Sequence, residues 1–469
     1  MIDNIYPQQM NSYFKTLADI IVVFILLSGP TLARAQSPNV IFILADDMGT
    51  YDVGAYGQKL IKTPNIDKLA KEGIRFTQHY AGSAVCAPSR DVLMTGMHTG
   101  HSTIRGNYPF ETEGNLPIPD ASVTVAELFK NKGYTTGMMG KWGLGGPGST
   151  GGPTKQGFDY SLCYLDQRVA HDYYVPYLWK NEEKFMIKEN ENGARNVYSH
   201  DLFFSHALQF IQDNQQKPFF LYLPFTIPHG KFEVPSVAPY TNEKWTEQQR
   251  NYAAMITRMD GDIGKIMDLL KELKLDQNTL VIFSSDNGPV PQMIKQFKSS
   301  GPLRANKGDL YEGGIRVPLI ARWPDKITPG TVSDHVSAFW DFLPTMGELI
   351  GAKAPAKVDG ISYLPTLLGK KQNKHEFLYW EFFNTRYNQD NSSDKKSKVF
   401  LTQQAVRMGD WKAVRVNLNQ NPNAPLELYN LKSDIGETKN VAAQNPDIVK
   451  KIQNYMAGAS QDGVYFSRK

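Results

Sequence analysis

Val40-Ile-Phe-Ile-Leu-Ala-Asp-Asp-Met-Gly49 decides the fold. The short, unbroken apolar run Val40 to Ala45 reads as a strand buried on both faces. Two acids, Asp46 and Asp47, stand at its end. Neighbouring carboxylates raise each other's pKa and bury badly unless a cation joins them. A second apolar run, Thr279–Ser284, ends the same way, on Asp286-Asn287-Gly288, and a third, Phe219–Phe225, runs toward His229. Read singly, the acid pair is a turn or a helix cap and Asn-Gly is a turn signal. Read together, they place polar residues beyond the carboxyl ends of several strands, where open α/β sheets bind their ligands.

Helical patterns alternate with these strands. Pro64–Glu72 is closed by Gly73 and Ser122–Lys132 by Gly133. Ala253, Ile256, Met259, Ile263, Ile266, Leu269 and Leu273 recur at helical spacing, and Val317–Ala321 reads as a further strand. The expected fold is α/β, a large, mostly parallel sheet sandwiched by helices. After about Ile350 the texture changes. Ala352–Ala356 is linker-like, followed by short strand patterns at Phe377–Phe383, Gln404–Met408, Trp411–Val416 and Leu426–Leu431 and a helix from Pro446 to about Ala457. This predicts a smaller C-terminal α+β domain with an antiparallel sheet. The expected divisions are 1–35, 36–350 and 351–469, with Asn388–Lys398 a polar surface loop and no internal repeat.

The ends and the composition bound the function. Ile20–Leu27, with Lys15 before it and Ala33-Arg34-Ala35 after it, reads as a signal peptide cleaved to leave Gln36, with Met10 an alternative start. The run is shorter than the ~20 residues of a comfortable membrane span, and no cysteine follows it to carry a lipid. An exported protein, periplasmic or secreted and without a stable membrane anchor, is the expectation. Lys+Arg total 51 against 47 Asp+Glu, a net charge of +4, which makes no electrostatic case for nucleic acid as a partner. Aromatics at 12% suit either stacking on sugar rings or a large core. The two cysteines, Cys86 and Cys163, are too few for a disulfide-stapled scaffold. Cys163 is expected to be a buried, idle thiol.

Cys86-Ala87-Pro88-Ser89-Arg90 carries the chemistry. Pro88 suits the first turn of a helix, which sets residue 86 at an N-terminus where free N–H groups favour an anion. Arg90 lies about one turn on, placed to steady residue 86 or a bound anion. Asp46, Asp47, Asp286 and Asn287 offer only oxygen donors, which suit Ca²⁺ or Mg²⁺ and not a thiophilic metal. With the blocks VIFILADDMG, VCAPSRDVLMTGMHTG, GYTTGMMGKWGLG, SSDNG and LRANKGDLYEGGIRVPLIARWP, the chain resembles the type I sulfatases of the alkaline-phosphatase-like superfamily. It is similar to exported bacterial enzymes that desulfate polysaccharides, from about Asn39 to about Pro446.

The resemblance implies a sulfuric ester hydrolase acting on a sulfated carbohydrate, poly- or oligosaccharide. It implies that Cys86 is oxidised to formylglycine by a separate maturation enzyme. The aldehyde hydrate then attacks sulfur, expels the sugar alcohol and releases sulfate as the aldehyde reforms. Asp46, Asp47, Asp286, Asn287 and modified Cys86 would hold one Ca²⁺, Lys141 and Lys307 would grip the sulfate oxygens, and His229 would protonate the leaving alcohol. Cations and a proton donor are what such a transition state needs. One departure stands out. Many relatives have Lys-Trp-His where this chain has Lys141-Trp142-Gly143, and that histidine is the usual base of the second step. The segment LDQRVAHDYYVPYLW resembles an insert of carbohydrate sulfatases with the same glycine, so Gln167 and His171 are expected to contact sulfate or sugar. His98, His101, Arg105 and Asn107 follow the signature helix and could face the pocket, Arg105 foremost, while Trp142 is expected to pack.

Two other readings keep this sequence pattern. One is a phosphonate monoester or phosphodiester hydrolase with the same modified cysteine. The other, favoured only by Gly143, is a catalytically dead carbohydrate-binding homologue.

Overall fold

The computed structural model describes residues 37–110, 113–386 and 398–467. The signal-peptide reading and most of the expected Asn388–Lys398 loop lie outside the described residues. The described residues from Pro38 onward form one compact unit.

The chain supplies strands β1 (Asn39–Ala45), β2 (Ile74–Tyr80), β3 (Thr135–Lys141), β4 (Tyr160–Tyr164), β5 (Tyr177–Lys180), β6 (Glu183–Met186), β7 (Phe219–Pro224), β8 (Thr279–Ser285), β9 (Arg316–Arg322), β10 (Thr331–Ser333) and β11 (Ser337–Ala338) to one sheet. Its order is β10-β2-β9-β8-β1-β7-β3-β4-β5-β6, with β11 also on β2. The block β8-β1-β7-β3-β4 is parallel throughout. Every residue of β1, β7 and β8 is buried, which is why these strands read as unbroken apolar runs.

Helices cover both faces. The Glu247–Glu272 helix buries Ile256, Met259, Ile263 and Ile266 against one face, together with Pro64–Glu72 and Ser199–Asp213. The Cys86–Thr95, Val125–Asn131 and Phe342–Ile350 helices take the other. The second expected helix is shorter than Ser122–Lys132. Thr124 Oγ accepts the Glu127 N–H at 3.2 Å and Glu127 Oε2 accepts the Thr124 N–H at 2.7 Å, a capping box that sets the start at Val125.

β9 is a strand as expected, yet it runs antiparallel to β8 and to β2. From Asp286 to Ile315 the chain stays at the carboxyl end of the sheet, where Gly288 N donates to Gly314 O and Ala81 N to Ile315 O. A strand entered from that end can only run back.

The C-terminal sheet is antiparallel, β12 (Leu378–Arg386), β13 (Lys398–Met408), β14 (Trp411–Arg415) and β15 (Glu427–Asn430) in that order. The Pro446–Gly458 helix packs on one face through Ile452 and Met456, against Tyr379, Val406 and Leu428. The other face joins the main core, where Trp380 and Phe383 cluster with Tyr80 and Leu343. Trp380 Nε1 donates to Ala81 O at 2.9 Å and Glu381 N to Thr99 Oγ at 2.8 Å, so the small sheet grips both flanks of the Cys86–Thr95 helix.

Candidate active site

Five segments converge at the carboxyl ends of β1, β3, β7 and β8. Asp46 and Asp47 follow β1 directly, Asp286 and Asn287 follow β8, Lys141 closes β3, and His229 lies on the loop after β7. Cys86 is the first residue of the Cys86–Thr95 helix and is 1% exposed. Asp47 adopts a left-handed backbone, φ 66°, which turns its N–H onto Asp286 Oδ1 at 3.1 Å. Asn287 Nδ2 donates to Asp47 Oδ1 at 2.7 Å. Asp46, Asp47, Cys86 and His229 each bring a donor atom within 4.8 Å of the others. All four expected oxygen donors are therefore buried in one cluster.

Cations bind that cluster from three sides. Arg90 donates to Asp286 Oδ2 through Nε at 3.1 Å and through Nη2 at 2.8 Å, and to Lys141 O through Nη1 at 2.6 Å. Its role here is to lock carboxylate and strand end. Lys141 Nζ lies 2.6 Å from Asp46 Oδ2, and Lys307 Nζ lies 2.6 Å from Asp47 Oδ2, 3.7 Å from Cys86 Sγ and 3.2 Å from His229 Nε2. Burial opposes ionisation of Asp46, but Lys141 foremost, with Arg90 and Lys307, holds its carboxyl well below the usual range. Burial and the neighbouring Asp46 push Asp286 up to about 6. Burial, with Asp46 beside it, pushes the Cys86 thiol up to about 12, so an unmodified thiol here is protonated and unreactive.

His229 is fixed by its backbone. Its Nδ1 lies 2.9 Å from Gly230 O, an arrangement that assigns the proton to Nδ1 and leaves Nε2 to accept from Lys307. Burial, reinforced by Lys141 and Lys307, holds its pKa well below the ordinary value. The loop carrying it is tied down by Tyr173, whose hydroxyl donates toward Thr226 O at 3.0 Å and His229 O at 2.7 Å. Sequence reading passed over Tyr173. Its signal was the Tyr173-Tyr174 pair just beyond His171.

The structure brings His171 onto His229, ring centroids 4.2 Å apart and edge-to-face. Gln167 enters the space beside Gly143, where a Cβ would overlap its amide nitrogen. Gln167 is 6% exposed, and neither atom of its side-chain amide has a partner. Its backbone is held by Asn115 Oδ1, which accepts the Gln167 N–H at 3.0 Å, a second residue that sequence reading missed.

Arg105 is placed elsewhere, which corrects the expected substrate contact. It is buried against the C-terminal sheet, Nη1 2.7 Å from Glu381 Oε1 and Nε 3.0 Å from Ser102 O, because an arginine there must be paired to be buried. His98 and His101 stack at 4.4 Å beside Asp359 and do not join the cluster. Asn107 accepts the Ala87 N–H at 3.1 Å and so steadies the first turn of the Cys86 helix. Trp142 packs as expected, donating to Gly151 O at 2.6 Å. Cys163 is buried and unbridged in β4.

A family model described as Sulfatase matches residues 38–352, and one described as N-sulphoglucosamine sulphohydrolase, C-terminal, matches residues 305–462. The chain is 31% identical to arylsulfatase A of Homo sapiens, over 90% of this chain and 87% of that one. It is 30% identical to N-acetylgalactosamine-6-O-sulfatase of Bacteroides thetaiotaomicron, over 90% of this chain and 93% of that one. Among solved structures it is similar to Ps i-CgsB in complex with k-i-k-neocarrahexaose, with a TM-score of 0.76 and 29% identity, covering 92% of this chain and 95% of that one.

Proposed function

The chain belongs to the sulfatase family, and from that premise we propose that it removes sulfate from a sulfated carbohydrate at the cluster around Cys86. Relatives named for sulfated sugars, among them an N-acetylgalactosamine-6-O-sulfatase, support the substrate class. The observation that carries the reading is the setting of Cys86. It opens a buried helix between two lysine–carboxylate pairs and beside His229, a setting suited to an anion on one side and a divalent cation on the other.

The donor set fits a hard cation. Asp46, Asp47, Asp286 and Asn287 contribute oxygens only, and Asn287 Oδ1 is buried without a hydrogen-bond partner. These residues, with residue 86, would hold Ca²⁺ or Mg²⁺, which when bound supplies Lewis-acid polarisation of a sulfate oxygen. Formylglycine made from Cys86 by a maturation enzyme supplies the nucleophile as its hydrate.

The chain's own groups do the rest. The Cys86–Thr95 helix turns the positive end of its dipole toward an incoming anion, while its Ala87 N–H is held by Asn107 and its Ser89 N–H by Val85 O. Lys141 and Lys307 bring two ammonium groups to the equatorial sulfate oxygens, where charge concentrates as the ester breaks. His229 Nε2 accepts from the Lys307 ammonium here, and once that nitrogen is itself protonated it is placed to pass the proton to the leaving sugar oxygen. Gln167 has an unsatisfied amide to offer the sulfate or the sugar, and His171 beside His229 is the remaining imidazole near the site for the second step.

Export by the segment 1–35 fits a substrate met outside the cytoplasm. The test is inorganic sulfate release by protein matured in a formylglycine-competent host, over a panel of sulfated mono- and oligosaccharides. Release from a sulfated sugar supports the reading. A blank panel with residue 86 converted by peptide mass refutes it, and phosphate release from a phosphonate or phosphodiester would replace it.

A further inference from the structure

The loop that carries Lys307 has a second face, turned toward the C-terminal sheet. Gly308 and Asp309, the next two residues, line a cavity of about 440 Å³. That volume lies within the range of small-ligand sites, about 300–1,000 Å³. Its apolar walls are Tyr311, Phe382 and Val416, and the solvent-exposed amides of Asn384, Asn417, Asn419 and Gln420 line much of the rest, beside Thr402 and Gln403. These amides come from two separate segments, the strand β12 and the loop after β14. None of the four side chains makes a hydrogen bond among the described residues, although neighbouring Gln403 spends its amide fully, on Gly308 O at 2.8 Å and Leu310 N at 2.8 Å. Gln403 thereby fixes the cavity to the segment that positions Lys307.

The chemistry of the lining selects its ligand. Among the described residues that line it there is no lysine, arginine or histidine to hold a second sulfate. Carboxamides carry a donor and an acceptor side by side, the pattern of vicinal hydroxyls or of an acetamido group. Aromatic walls suit the C–H faces of a sugar ring. The catalytic cluster a few residues away is the reverse, rich in cations and poor in neutral amides.

We propose that this cavity is a binding subsite for an uncharged sugar ring linked to the sulfated one, so that the enzyme selects chains over single sugars. The proposal rests on the carbohydrate reading above and adds where the rest of the chain lies. Lys307 would hold the sulfated end, and the two residues that follow it in the chain, Gly308 and Asp309, line the cavity.

The test separates binding from turnover. Protein carrying Cys86→Ser is titrated by calorimetry with two chemically desulfated probes, a carrageenan-type hexasaccharide and a chondroitin tetrasaccharide, with and without Asn419→Ala/Gln420→Ala. At least one probe is expected to bind, and the double variant to weaken it about tenfold, the loss of roughly two neutral hydrogen bonds. In otherwise unaltered, matured enzyme the same pair of changes is expected to lower the ratio of kcat/KM on sulfated oligosaccharide to that on sulfated monosaccharide. Asn384→Ala, from the other segment, should act in the same direction. Equal binding in parent and variants, or no binding of either probe, overturns the subsite. Binding that the variants abolish, in an enzyme that releases no sulfate from any sugar, overturns the catalytic reading and leaves the subsite standing.

Discussion

Gly143 and Gln167 share one space: a Cβ on Gly143 would overlap the Gln167 side-chain amide nitrogen. Gly143 also has φ 77°, a backbone that side chains other than glycine adopt at a cost. The glycine and the glutamine are thus two halves of one arrangement. Gly143→Ala should displace Gln167 and lower kcat/KM on the sulfated substrate at least tenfold. Gln167→Ala should do the same, and the double variant should cost little more than either single one, since contacting residues couple. Losses that simply add would show that the two act independently.

His171 lies edge-to-face on His229, and burial with the nearby Lys141 charge lowers its pKa, so it is neutral and able to accept a proton. His171→Ala is expected to reduce kcat by about 10²-fold, the lower end for loss of an acid–base group. His171→Gln, which keeps polarity and removes basicity, should not restore it. Unchanged kcat and KM in His171→Ala would remove the residue from the mechanism.

Much of this site was legible because single residues at strand ends carry it. Asp46 and Asp286 announce themselves by apolar runs that end beside them, and the helix after Cys86 by its proline, whereas Lys141, at the end of the Thr-Thr-Gly-Met-Met-Gly stretch, came only from the resemblance. What stayed hidden was tertiary. Nothing local in the sequence pairs Asn115 with Gln167, 52 positions on, or Tyr173 with the His229 carbonyl, 56 positions on. Arg105 misled because an arginine after a glycine-rich turn looks like a ligand, whereas Glu381, distant in sequence, takes it. The antiparallel course of β9 was equally unreadable, since an apolar run does not state its direction.

Chelation should separate the metal from the modified residue. Treatment of matured enzyme with a chelator is expected to abolish sulfate release and lower Tm, and Ca²⁺ to restore both, because a ligand bound only by the folded state stabilises it. Asn287→Ala, which removes a neutral oxygen donor, should raise the Ca²⁺ concentration needed for recovery. A Tm and an activity indifferent to chelation would argue against a cation among Asp46, Asp47, Asp286 and Asn287.

His79, in β2, is buried among Phe76, Phe339 and Tyr363, with Nδ1 2.8 Å from Ser337 Oγ. Burial, helped by His335, lowers its pKa from 6.5 to about 3. The folded state therefore keeps this imidazole neutral where the unfolded chain protonates it. The associated stability is complete above pH 6.5 and is lost as pH falls from 6.5 toward about 3. Between about pH 7.5 and about pH 5, Tm should fall less in His79→Gln than in the parent. Parallel pH profiles would show that His79 contributes nothing to acid sensitivity.

Lys412 is fully buried between two carboxylates, 2.9 Å from Glu312 Oε1 and 3.7 Å from Glu437 Oε1. Glu312 sits just beyond the Lys307 loop, and its N–H donates to Glu437 Oε2 at 2.8 Å, so this charge joins the small sheet to that loop. Burial resists ionisation of Glu312, yet Lys412, with Arg316, holds its carboxyl at about 2, whereas burial leaves Glu437 at about 7. Lys412→Met keeps the volume and deletes the charge that both acids face. Removing one partner of a buried ion pair costs about 3–5 kcal/mol, because the remaining charge stays unpaired. A fall in Tm of several degrees is expected, together with a loss of kcat/KM as the Lys307 loop loosens. Adding Glu312→Gln to Lys412→Met should recover part of the Tm, since the carboxylate that Lys412 kept ionised is then neutral. A single variant as stable as the parent would mean that Glu312 and Glu437 do not depend on Lys412 to be buried.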